Sequence, residues 1–151
     1  MNYTTAMIQL PLVKETGNVP VRTPEEVSGI CDDLRSLAQE VFQVLCLNKG
    51  NYLVNRHMVT LGLADASLVH PREVFRTAIS DGASVMILVQ DHPSGDPTPS
   101  AADIRITDRL IQTGKIVDIS VMDHIIIGRT EDGENGRSHF SMREEGICQF
   151  G

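Results

Sequence analysis

The sequence has no run of about 18 apolar residues, so it offers no membrane-spanning helix. Its first residues, MNYTTAMIQLPLVKETG, lack a basic stretch followed by an apolar one, which argues against a secretory leader. Basic side chains are outnumbered 13 to 20 by acidic ones, giving a formal charge of −7. A chain without a basic excess is a poor unaided binder of nucleic acid, because neutralising phosphates needs Lys and Arg. Cysteines are three, Cys31, Cys46 and Cys148, with no close pair. An odd, scattered set excludes a fully paired disulfide framework and a CxxC zinc knuckle, and it suits a reducing, cytoplasmic compartment. The plain reading of each cysteine is a small buried hydrophobe. Internal repeats and low-complexity tracts are missing too. The 151 residues make one domain, large enough to bury a core without staples.

What is there alternates between helix and strand signals. Residues 1–22 carry two prolines and no clear period, and read as an arm or loosely docked strand. Thr23-Pro24-Glu25-Glu26 is a helix start, with Thr as cap and Pro at the first helical position. Val27, Ile30, Leu34 and Leu37 continue an apolar stripe, predicting a helix to about Ala38. Residues 41–47 form a β-rich run, 48–51 a turn, and Tyr52 to Thr60 a second strand antiparallel to the first, with Asn55, Arg56 and His57 at its centre. A short helix follows His70-Pro71, with His70 expected to cap it. The almost continuous apolar run 84–90 predicts a central strand buried on both faces. Ser100 caps a third helix, 120–128 is a strong strand, 132–136 a loose hairpin and 138–142 an edge strand. Mixed helices and strands around one sheet predict an α/β sandwich.

The segment between the central strand and the third helix, Asp91 to Ser100, has three prolines and a glycine, so it is an ordered loop. Side chains of a strand alternate, so Gln90 and His92 point one way and Asp91 the other. Ser100 and Asp103, three apart on a first helical turn, share a face. An imidazole, a hydroxyl and a carboxylate thereby converge. A capping box begun by Ser100 and closed by Asp103 explains that pair equally well, and is compatible with a metal role. His124, in the middle of an apolar strand, reads as a satisfied core histidine.

The string His92-Pro-Ser-Gly-Asp-Pro-Thr-Pro-Ser100-Ala-Ala-Asp103 resembles the JAMM motif of JAB/MPN-domain metalloproteases, His-x-His, seven residues, Ser, two residues, Asp. Three flanking strings, His70-Pro-Arg-Glu-Val-Phe75, Asp123-His-Ile-Ile-Ile-Gly128 and Ser141-Met-Arg-Glu-Glu-Gly146, are similar to the RadC-like branch of that family. The likeness runs from about Thr23 to Ile147, which places the domain at 23–147 and a tail at 148–151. It implies a JAB/MPN-like, cytidine-deaminase-like α/β/α sandwich with a mixed sheet flanked by helices. The short leading segment is too brief for the helix-hairpin-helix found in typical members, so a short form of the family is expected.

The resemblance also implies a zinc ion held by two histidines and an aspartate, a glutamate that takes a proton from the zinc-bound water, and a serine that stabilises the tetrahedral intermediate on an amide or isopeptide. His92 matches the second histidine, Asp103 the aspartate and Ser100 the serine. Gln90 stands where the first histidine belongs, and His57 is aligned with the glutamate. The expected site is therefore Gln90, His92 and Asp103 toward the metal, with Ser100 and His57 catalytic. Two arrangements stay open: His57, His92 and Asp103 on zinc with Gln90 hydrogen-bonding, or a site that holds no ion. The function implied is a metal-dependent hydrolase acting on peptides or proteins; the alternative is a degenerate MPN binding or scaffold module, associated with DNA repair by family. A homodimer is left open, as is any exchange of the arm between subunits.

Overall fold

The computed structural model describes residues 19–62, 69–129 and 138–151. The first eighteen residues of the expected arm and the expected hairpin at 132–136 lie outside them. Helix α1, Pro24–Ile30, begins as expected: Thr23 Oγ1 accepts from the Glu26 amide at 3.2 Å and Pro24 sits in the first turn. It stops sooner than Ala38. Cys31 leaves helical geometry at φ −100° and ψ 23°, and the chain continues as a 3-10 helix, Asp32–Ser36. The tighter turn brings the Arg35 guanidinium to Ser28 Oγ (2.7 Å) and to the carbonyls of Gly128 (2.7 Å) and Ser138 (2.6 Å). Tertiary hydrogen bonds thus override the apolar stripe that suggested one longer helix.

Strand β1, Val41–Leu47, turns at Asn48, whose Oδ1 accepts from the amides of Gly50 and Tyr52, into β2, Leu53–Leu61. Residues beside the start of β2 are paired as well: Leu53 N donates to Val19 O and Val21 N to Asn51 O, both at 2.8 Å. Helix α2 spans Pro71–Ser80; His70 occupies its cap position, but its side chain makes no capping bond. Strand β3, Val85–Asp91, the loop 92–100, helix α3, Ala101–Val117, strand β4, Ser120–Ile127, and the short β5, His139–Ser141, complete the fold.

The five strands lie in the order β2-β1-β3-β4-β5, with β3 and β4 parallel and the other neighbours antiparallel, so the sheet is mixed. Alternation sorts β1 into two faces. Phe42, Val44 and Cys46 meet α2 and α3, while Val41, Leu45 and Leu47 meet α1 and the 3-10 helix. Helices on both sides make the α/β/α sandwich. Among the described residues no helix is long and apolar enough to cross a membrane.

Two details fix the region around the loop. Gly128 faces it so closely that a Cβ there would overlap Gly95 O and stand 2.8 Å from Pro97 Cδ. Backbone bonds fasten the same contact, His92 N to Ile127 O at 3.0 Å and Arg129 N to Gly95 O at 2.8 Å. Beneath the loop, Thr107 Oγ1 donates to Asp103 O at 2.6 Å, so it accepts from His124 Nδ1 at 2.5 Å. The His124 ring is fully buried, its Nε2 has no hydrogen-bond partner among the described residues, and its edge meets Phe42. The expected core histidine is therefore satisfied at one nitrogen only.

Gly128→Ala should lower stability by about 2–4 kcal/mol, because backbone rather than a side chain must move; a urea midpoint equal to the parent's would refute the contact. Burial holds the His124 pKa down from 6.5 to about 4. The unfolded chain therefore binds a proton that the folded one does not across this window, so stability is complete above about 6.5 and lost as pH falls toward 4. The loss is about 3 kcal/mol at most, and His124→Gln should flatten the stability–pH curve there. Identical acid slopes for parent and variant would contradict it.

Candidate active site

Helix α3 begins where β3 has ended and the proline loop has turned back. Its capping box is complete: Asp103 N donates to Ser100 Oγ at 3.1 Å and Ser100 N to Asp103 Oδ2 at 2.8 Å. The same carboxylate reaches further. Its Oδ2 lies 3.0 Å from His92 Nε2, and its Oδ1 accepts from Gln90 Nε2 at 3.0 Å. The capping reading and the site reading of Asp103 are both realised. Burial works against its charge, but bonds from His92, Ser100 and Gln90 outweigh it and hold the carboxyl well below the usual range.

His92, just past the end of β3, gives its Nδ1–H to Asp96 O at 3.0 Å, which aims Nε2 at Asp103. Burial disfavours its charged form; Asp103, the Asp96 carbonyl and Glu40 more than compensate, so its pKa is raised. Gln90 shares the sheet face of Leu88 and Met86. Both hydrogens of its amide are used, one on Asp103 and one on Glu40 Oε1 at 2.8 Å, while Nε2 lies 3.2 Å from His92 Nε2. Its Oε1 is buried without a hydrogen-bond partner among the described residues.

Glu40 was not among the residues singled out from the sequence. It directly precedes β1, and the pairing of Phe42 with Gln90 carries it to the level of His92. Val41, next in the chain, donates its amide to Asp91 Oδ1 at 2.6 Å, clamping the start of β1 to the end of β3. Half burial raises the Glu40 pKa, His92 opposes the rise, and Asp103 and Asp91 add to it. The signal available beforehand was parity: Glu40 and Phe42 share a face of the strand that antiparallel pairing sets against the chemistry-bearing one.

His57 is elsewhere. The expectation that it would join Gln90, His92 and Asp103 is not met, although it faces the same side of the sheet. It pairs with Val44, and β2 lies beyond β1 from β3, which places His57 on the order of 10 Å from Gln90. Its Nε2 sits 2.6 Å from Asp81 Oδ2, at the end of α2.

The group therefore comprises Glu40, Gln90, His92 and Asp103, with Ser100 at its exposed rim. One ligand atom each from Glu40, His92 and Asp103 fall within 4.8 Å of one another. Two carboxylates against one imidazole leave an excess of negative charge that suits a cation. The unpartnered Gln90 oxygen is the further donor this requires: a half-turn of the amide exchanges it with the nitrogen that now lies among those ligands. A mixed set of imidazole, carboxylate and carboxamide fits a divalent ion, more weakly than two imidazoles would hold zinc.

The motif strings outside the site brace it. Asp123 Oδ1 accepts from the amides of His124 (2.7 Å) and Arg143 (3.0 Å), and Oδ2 from Ser141 Oγ at 2.5 Å, locking β4 to the segment 141–146.

The sequence matches the RadC-like JAB domain family over residues 21–147. A UPF0758 protein of Desulforamulus reducens is 51% identical over 111 residues, 73% of this chain and 49% of that protein. UPF0758 proteins of Halalkalibacterium halodurans (42% over 139 residues, 91% and 57%) and Caldanaerobacter subterraneus (41% over 143 residues, 94% and 58%) are similar across more of it. The chain spans about half the length of the curated relatives it matches. With the sandwich, the motif order and a match over most of its length, this chain belongs to the RadC-like JAB domain family.

Proposed function

We propose that this domain is a metal-dependent hydrolase of amide or isopeptide bonds, acting on peptides or proteins in the cytoplasm. The observation that carries the reading is the convergence of Glu40, Gln90, His92 and Asp103 from three elements remote in sequence. His92 Nε2, Asp103 and the Gln90 oxygen would hold the cation. When bound, it supplies Lewis acidity to a water and to the scissile carbonyl.

The chain's own groups do the rest. Glu40, with its raised pKa, is suited to accept a proton from the attacking water once the Gln90 amide has turned its oxygen to the cation, and to return it to the leaving nitrogen. Ser100 Oγ accepts from the Asp103 amide, which leaves its O–H free to donate to the oxyanion at the exposed rim. His92 is kept in register by Asp96 O, and Asp103 by its helix cap.

A binding module without catalysis is the second reading, and one observation favours it. The Gln90 amide already satisfies both carboxylates, so the cluster is closed without an ion. Metal analysis of protein purified without added zinc, with a chelator-sensitive amide hydrolysis assay, separates the two. The hydrolase reading expects bound metal and turnover, with Glu40→Gln lowering kcat by about 100-fold or more. Gln90→His should raise zinc affinity about tenfold or more, since an imidazole replaces a carboxamide. A parent lacking metal and turnover beside a Gln90→His variant that has both would establish the module instead.

A further inference from the structure

On the same sheet face, away from Glu40 and His92, stands a second group. Cys46 lies on β1 two residues beyond Val44, and His57 on β2 is the partner of Val44, so the thiol and the imidazole are neighbours across the β1–β2 ladder. Asp81, which caps the C-terminal end of α2, closes the third side, with Oδ2 at 2.6 Å from His57 Nε2. One ligand atom from each, the Cys46 sulfur among them, all fall within 4.8 Å of one another. We propose that Cys46, His57 and Asp81 form a separate metal site that takes one divalent cation of the zinc type.

The ligand chemistry is that of a borderline-soft ion: a sulfur, an imidazole nitrogen and a carboxylate oxygen, three protein ligands with the fourth position open to water. Cys46 is fully buried, whereas the side chains of His57 and Asp81 are 21% and 18% exposed, so the ion can enter from their side. Charge favours it as well. The carbonyl end of α2 is the negative end of its dipole, it carries a carboxylate there, and its last turn holds no basic residue. A cation at this point meets both. Cys46 packs in the core on this face and its thiol also meets Asp81, so all three side chains already converge on one point.

Binding exchanges protons for metal bonds. The Cys46 S–H proton leaves to solvent, the imidazole keeps its one N–H on Nδ1, and bonds from Sγ, Nε2 and Oδ2 to the cation form in place of the S–H bond and the His57–Asp81 hydrogen bond. His57 and Asp81 must part slightly to become separate ligands, which the partly exposed carboxylate at a helix end can accommodate.

Cobalt(II) reports this site selectively, because the Glu40–His92–Asp103 group contains no sulfur. Titration of the full chain with cobalt should produce one sulfur-to-cobalt charge-transfer band in the near ultraviolet, saturating at one ion per chain. Cys46→Ala should abolish the band and His92→Ala leave it intact. His57→Gln and Asp81→Asn, near-isosteric changes at partly exposed positions, should each weaken cobalt binding by about tenfold or more. A parent without the band, a band surviving Cys46→Ala, or unchanged affinity in both His57→Gln and Asp81→Asn overturns the assignment. Failure of amide hydrolysis would leave it untouched.

Discussion

A single buried carboxylate holds this corner of the protein together. Asp103 takes a backbone amide from Ser100, an amide hydrogen from Gln90 and the imidazole edge of His92. Unmade, any of these bonds would leave a buried charge underpaid in hydrogen bonds, which costs far more than an ordinary lost contact. The start of α3, the end of β3 and the proline loop are therefore positioned by one side chain. Thr107, one turn further along α3, extends the hold to His124 and so to β4.

The sheet contributes a different constraint, register. Pairing Phe42 with Gln90 sets the level at which β1 meets β3, and Asp91 clamps the first amide of β1 from the opposite face. Side chains on the α2 and α3 side of that seam then line up, and Glu40 meets His92 and Gln90 although fifty residues separate it from the latter. Catalytic geometry here follows from strand order and parity more than from any local turn.

That division explains what the residues disclosed unaided. Ser100 and Asp103 were legible because a capping box and a motif coincide at a spacing of three. The central strand was legible because β3 is buried on both faces, and the proline loop because its composition excludes helix and strand. Glu40 was not, since a lone glutamate before a strand looks like any solvated flank until its antiparallel partner is known. His57 misled for a related reason: its face was right but its strand lies one place too far from β3, and strand order is a long-range property. The end of α1 at Ile30 was equally hidden, because it depends on carbonyls of Gly128 and Ser138 about a hundred residues away.

The close approach of Gly128 to Gly95 bears on how such a domain can diversify. The stretch that bears His92 is pinned by main-chain atoms at both ends of the contact, so its path is indifferent to most side chains it carries. Ser94 and Thr98, exposed on that pinned ribbon, hydrogen-bond Asp96, whose carbonyl orients His92. Selection can retune what docks at that rim only through residues that still hold Asp96, so new contacts outside and the aim of the imidazole beneath are inherited together.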